Sequence, residues 1–299
     1  MSGPSEVPQP AFPRQRRSSA ASARFYSRGV SVCLAAPLVV ALAIGFVYPV
    51  TRLVGLSFEG GSLEQYRRLV AEPLYLGVLA STVKVAVVVT IASLLLGFPV
   101  AYLMARLRHG IAMVVAACVF IPLWTSVLVR SYAWVVLLQR NGIVNTLLAD
   151  AGITDGPMKL IYTQGAVIVA MTHVLMPFMI LPIYSTLRTL PPDYNRAARN
   201  LGAGAFRAFI SITLPLSLPG VFAGSVLCFV LALGFYITPA LVGGPGSMLM
   251  ATLIGQQTTV LLDWPFAAAL STVLLTVTLI FVFLFRKTLS LSKGLHSVH

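Results

Sequence analysis

The residues able to do bond chemistry are few in this chain and poorly placed for it. The three cysteines, Cys33, Cys118 and Cys228, each lie inside an apolar run, where a free thiol behaves as a small hydrophobe. The four histidines, His109, His173, His296 and His299, show no spacing that would gather ligands for zinc or haem. None of the eight acidic residues falls within a long apolar stretch, and Asp263 stands only at the edge of one. No Gly-Lys-Ser or Gly-Lys-Thr run offers a cradle for nucleotide phosphates. Neither a catalytic centre nor a resident metal or cofactor is expected.

Binding chemistry is better represented. Lys84 and Arg130 are ionisable groups within or near apolar stretches, where such groups are candidates for function; both lie towards one end, so snorkelling to the interface is an equal reading. Tyr132, Trp134, Phe235 and Tyr236 offer faces for cation–π contact, although such aromatics commonly serve as packing or interface anchors. From these groups Arg130, Tyr132, Trp134 and Tyr236 are the candidates for lining a path. His173, beside Thr172 and near Pro177, reads as a hydrogen-bonded interior residue.

A second constellation runs from Pro191 to Gly220 and is suited to docking. Pro191 and Pro192 stop the preceding helix, Asp193 suits an amino-terminal cap, and Ala197, Ala198 and Leu201 would share one small apolar face. Gly202 then supplies a close approach or a positive φ. Arg196, Arg199 and Arg207 flank that face, so the segment reads as a short helix shaped for a groove on a soluble partner; the plain alternative is a basic loop.

The elements that carry these groups follow from composition. With 58% apolar and 10% charged residues over 299 positions and a mean hydropathy of +0.89, the chain lacks the charge to cover a soluble globule. A bilayer core needs about 20 apolar residues per helix, and six stretches qualify: 30–55, 74–105, 111–138, 165–187, 220–241 and 266–285. The first is read as a retained span and not a cleaved signal. Residues 1–29 are expected to form a disordered basic tail, 30–287 a transmembrane domain with a loop at 188–219, and 288–299 a second tail. On the outer side, 58–73 reads equally as a short amphipathic helix or a plain solvated connector, 139–164 as a loop with two turn signals, and 248–262 as a short or re-entrant helix, because adjacent amides facing lipid would be costly.

Charge fixes the expected orientation. With both termini in the cytosol, that face carries fourteen basic residues against two acidic, Glu6 and Asp193, while the rest of the chain carries seven against six. Twelve of the thirteen units of net charge are thus a matter of topology. A membrane-lipid environment accounts for them, and no nucleic-acid partner is required.

The segment also resembles a known pattern. Permease subunits of bacterial ATP-binding-cassette (ABC) importers carry Glu-Ala-Ala-x-x-x-Gly, nine residues, then Ile-x-Leu-Pro; here Ala197-Ala198, Gly202, and Ile212, Leu214 and Pro215 stand in register. Arg196 occupies the position that is usually glutamate. Further stretches, among them Ser62–Tyr66, Gly97–Tyr102, Trp124–Trp134, Asn141–Asn145 and Leu261–Ala269, are similar to the spermidine/putrescine-type branch, so that the resemblance covers about 30–290. It implies an all-α polytopic protein of the type I importer fold in a bacterial inner membrane, without catalysis of its own. It also implies a second permease, similar or identical, a cytosolic ATPase dimer that binds ATP and Mg, and an external substrate-binding protein. Arg196, Ala197, Ala198, Leu201, Gly202, Ile212, Leu214 and Pro215 would then couple to the ATPase, and the solute would be a polyamine or a related amine or amino-acid derivative. A stand-alone secondary transporter or channel would need its own coupling-ion site, which the absence of acids within the spans disfavours.

Overall fold

A computed structural model describes residues 28–59, 63–191 and 193–294. The tail expected over 1–29 lies outside the described residues through Ser27, as do 60–62, Pro192 and the last five positions. The chain divides at Arg52 and Leu53 into two units. In the first, α1 (Arg28–Leu42) passes through a π-turn, Ala43–Val47, into α2 (Tyr48–Ser57), whose residues from Leu53 on belong to the second. The wider turn lies just ahead of Pro49, whose ring would collide with the Gly45 carbonyl in a regular helix. Leu34, Leu38 and Phe46 are exposed along this apolar helix.

In the second unit, α3 (Glu64–Ala71), α4 (Pro73–Arg106), α5 (His109–Phe120), α6 (Val127–Leu138), α7 (Ile143–Asp150) and α8 (Gln164–Thr189) come first. They are followed by α9 (Asp193–Asn200), α10 (Ala205–Ala208), α11 (Leu214–Leu233), α12 (Ile237–Val242), α13 (Met250–Thr259) and α14 (Trp264–Gly294). Among the described residues five helices are long and apolar enough to cross a membrane, and the α5–α6 pair makes a sixth crossing if its bent halves are one span.

The bounds differ from the sequence expectation in places with identifiable causes. The stretch 111–138 is broken, the halves His109–Trp124 and Val127–Asp150 meeting at 101°, because the residues around Pro122 tighten into a 3-10 turn, Ile121–Trp124, and Thr125 folds back on the Pro122 carbonyl. Ser126 then caps α6 by accepting from the Leu128 N–H at 3.3 Å. The stretch 220–241 is also divided: one apolar helix runs from Ala205 through Leu233, Gly234 ends it, and α12 is separate. The loop expected over 188–219 is therefore helical from Ala205 on. Within 139–164, read as a loop, the structure contains α7, and α14 continues into the expected tail as far as Gly294.

The core is built on α4, α8 and α11, with Val89, Met179, Ile180 and Phe229 fully or almost fully buried. Spanning helices approach closely where small residues leave room, and α11 supplies Gly220 and Gly224 one turn apart against α8. A Cβ at Gly220 would stand 2.7 Å from the Pro182 carbonyl oxygen, and one at Gly224 would stand 3.0 Å from that of Met179.

A smaller cluster of Leu69, Tyr75, Val78, Met250, Leu253, Phe266 and Leu270 joins α3, α4, α13 and α14. At its edge Arg68 donates to the Asp263 carboxylate at 2.8 Å and lies 4.3 Å over the Phe266 ring, while Asp263 also accepts from the Phe266 N–H at the start of α14. Burial opposes the Arg68 charge, but the hydrogen bond to Asp263 and the contact with Tyr75 outweigh it and raise its pKa above the ordinary arginine value. Because the pair is exposed enough for solvent to screen it, Arg68→Ala is expected to cost only about 1 kcal/mol. A small drop in Tm, partly recovered by Arg68→Lys, is the measurement that checks it.

Candidate functional site

Two regions collect the residues singled out above. The first is the segment from α9 to the start of α11. Asp193 is the first helical residue of α9 and lies 3.5 Å from the Arg196 guanidinium, both side chains well exposed, so solvent leaves that pair little energy. Of the three residues expected on one apolar face only Ala198 turns inward; Ala197 is exposed and Leu201 is 89% exposed.

The helix end is closed by backbone geometry. Gly202 adopts φ +82°, its N–H donates to the Arg199 carbonyl at 2.9 Å, and the Ala203 N–H donates to the Ala198 carbonyl at 3.0 Å. This pair of bonds is a Schellman closure, which satisfies the last carbonyls of the helix and needs a residue free to enter the left-handed region. An eight-residue helix is otherwise too short to hold itself together.

Downstream, a π-turn over Phe209–Thr213 precedes α11, as the earlier one precedes Pro49. It relieves the collision that Pro215 would make with the Ser211 carbonyl. Ile212 and Leu214 are half-buried and Pro215 is exposed. Phe209 packs edge-on to Phe98 at 5.9 Å and Tyr102 at 5.3 Å, both on α4, so the segment is seated on a core helix. Left uncovered are Tyr194, Leu201 and Phe206, the last 77% exposed, among Arg196, Arg199 and Arg207. Large apolar groups ringed by charge are the usual makings of a protein-docking surface.

The second region surrounds α12 and α13. Tyr236, at the head of α12, lines one cavity of 570 Å³ with Gly255, Thr259 and Thr278, and another of 400 Å³ with Thr252 and Gln256. Gly255 lets the ring come close to α13, since a Cβ there would fall 2.5 Å from Tyr236 Cε2. Gln256 reappears with Gln257 and Tyr75 on a third cavity of 550 Å³; Gln257 is buried and its Oε1 has no partner among the described residues. In the sequence these amides and hydroxyls argue only for keeping 248–262 off lipid. The structure gives them a second meaning, because it sets these polar side chains on the walls of cavities within the protein.

Arg130, Tyr132 and Trp134 sit on α6 and do not line the two cavities that Tyr236 borders. The helix is nevertheless tied to α12, where Ser131 and Thr238 share a buried hydrogen bond of 2.7 Å. Trp134 Nε1 donates to His173 Nδ1 at 3.2 Å, which requires that nitrogen unprotonated. Arg130 is one turn before Trp134 on the same face, and its Nε is buried without a partner among the described residues. Tyr132 and Lys84 are exposed. No group of three or more His, Cys, Asp or Glu able to hold a metal occurs among the described residues.

Comparison with known proteins adds to this geometry. Residues 16–289 match the family model described as binding-protein-dependent transport system inner membrane component. The spermidine/putrescine transport system permease protein PotB of Escherichia coli (strain K12) is 36% identical over 210 residues, 70% of this chain and 76% of that protein. The molybdenum transport system permease protein ModB of Mycobacterium bovis is 30% identical over 190 residues, 64% and 70% of the two chains. A bacterial ABC transporter involved in import of the acidic polysaccharide alginate superposes with a TM-score of 0.66 at 17% identity, covering 87% of this chain and 94% of that one. The same kind of transporter in complex with an alginate pentasaccharide-bound periplasmic protein gives a TM-score of 0.69 at 19% identity, covering 86% and 92%. At these identities the two structures speak for the fold.

Proposed function

The chain belongs to the family of binding-protein-dependent transport system inner membrane components, and from that premise we propose that it is one of two permeases forming the pathway of an ATP-driven importer. In this reading both termini face the cytosol, a partner ATPase dimer binds ATP and Mg, and an external binding protein delivers the solute. The observation that carries it is the segment from α9 to the π-turn, a short helix closed at Gly202, anchored through Phe209, with Tyr194, Leu201 and Phe206 uncovered. Closure of the ATPase dimer would move this segment as a lever and shift the spans between inward and outward access.

For the solute we favour a polyamine. The relation to PotB supports this, and so does the chemistry of the cavity wall: the Tyr236 face for an ammonium group by cation–π contact, Gln256, Thr252 and Thr259 as neutral acceptors. Uptake of labelled spermidine into proteoliposomes holding the whole assembly is the test. ATP-dependent accumulation is expected, and Tyr236→Leu is expected to raise the concentration for half-maximal uptake about tenfold. Uptake by this chain without ATP or partners would sink the reading.

A further inference from the structure

Where α4 and α8 end, the structure holds a cavity of 330 Å³ that neither the coupling segment nor the solute path accounts for. Its wall is made by Tyr102, Ala105 and Arg106 of α4, Leu187 and Arg188 of α8, Leu190, and Thr213 at the end of the π-turn. Arg106 is fixed over the Tyr102 ring, its Cζ 5.1 Å from the centroid, and the other side of that tyrosine's environment is Phe209. No ion pair of Arg106 or Arg188 with a carboxylate occurs among the described residues, whereas Arg68 and Arg196 each have one.

The electrostatics can be bounded. Both arginines fall in the last turns of their helices, where each helix end supplies a partial charge of about −0.5. Two helix ends offset about half of the two guanidinium charges and leave a net charge of about +1 at the cavity. Planar guanidinium groups suit phosphate oxygens in particular. Two spanning helices end at this level, which is where lipid phosphates lie, and basic pockets between helices on the cytosolic side are suited to anionic headgroups.

We propose that the Arg106–Arg188 cavity binds the phosphate of an anionic phospholipid of the cytosolic leaflet, such as phosphatidylglycerol. A headgroup held there touches Thr213 and backs onto the Tyr102–Phe209 contact, so it braces the junction between the core and the lever. The assignment to the cytosolic leaflet rests on the orientation proposed above; the binding itself does not.

The test uses the purified full-length chain in neutral-lipid nanodiscs, with labelled phosphatidylglycerol as the probe. Each arginine near an anionic lipid carries a factor of about five in affinity, so Arg106→Gln with Arg188→Gln is expected to weaken capture about 25-fold. Arg108→Gln, which alters a basic neighbour outside the cavity wall, is expected to leave capture nearly unchanged, and Arg106→Lys with Arg188→Lys to recover part of it. Equal capture by wild type and the double glutamine variant, or an equal loss in Arg108→Gln, overturns the proposal. So does competition by inorganic phosphate as strong as that by the lipid, which would assign the cavity to a soluble anion. Because capture is read on this chain alone and uptake on the assembly, failure of one leaves the other standing.

Discussion

Gly202→Val is expected to strip the proposed ATPase partner from the purified chain while leaving the spans folded. At φ +82° a residue with a Cβ pays about 1–2 kcal/mol, and a β-branched one more. No neighbouring atom lies within 4 Å of where that Cβ would be, so the penalty is one of backbone conformation and not of crowding. The chain can escape it only by opening the Schellman closure that seals α9. Eight residues cannot hold a helix without that closure, and Leu201 and Phe206 would lose their fixed relation to the rest of the segment. Retention of the ATPase in co-purification should fall at least about tenfold for valine, less for alanine, and least for asparagine, which tolerates the left-handed region. Full retention by the valine variant, with Tm unchanged, would show that the lever does not depend on this turn.

Gly220→Leu acts on the other half of the molecule, and with greater effect on stability. Even a Cβ at this position would meet the Pro182 carbonyl at 2.7 Å and Thr186 Oγ1 at 2.5 Å, and neither contact is the loose end of a flexible chain. Overpacking a close interface costs about 1–3 kcal/mol or more, against a total stability of about 5–15 kcal/mol for a folded domain. Leucine should therefore prevent accumulation of monodisperse protein, and alanine should lower Tm measurably. Gly224, which faces the Met179 backbone, should respond in the same direction but less sharply, because part of its contact is with the movable Met179 sulfur at 2.9 Å. Normal yield and Tm for Gly220→Leu would mean that α8 and α11 do not pack as described.

How much of the fold and the site is legible in the residues varies from place to place. The long apolar helices and the helix over 250–259 are legible, because hydrophobic pattern dictates them locally, and the short helix after Pro191 is legible from its proline stop and Asp193. Residue type alone also marks Gly202 as a turn. The break at Thr125 is not legible, because prolines are tolerated inside spanning helices, as Pro99, Pro177 and Pro182 are in this chain; only the surroundings decide which one bends the helix. The early start of the helix at Ala205 is obscured by Pro215 and Pro219, which normally forbid a helix and here are absorbed, the first by a π-turn. The Gly220-x-x-x-Gly224 spacing is a signal of close helix packing that the charge and motif pattern overshadows. Which of Ala197, Ala198 and Leu201 turns inward is not legible, since tertiary contacts decide between neighbours of similar polarity.

The π-turn ahead of Pro215 also bears on how this segment can change length. A π-turn stores one residue more than an α-turn of similar rise, and each residue of a regular helix rotates the downstream chain by about 100°. Removing one residue from 209–213 would let the turn revert to α geometry with both flanks still facing as they do, at the expense of the proline clash it now avoids. Adding one would have no slack to enter, and would swing Leu201 and Phe206 about a quarter turn relative to α11. If the segment couples as proposed, the nine-residue interval between Gly202 and Ile212 acts as a phase setting, open to shortening and closed to growth.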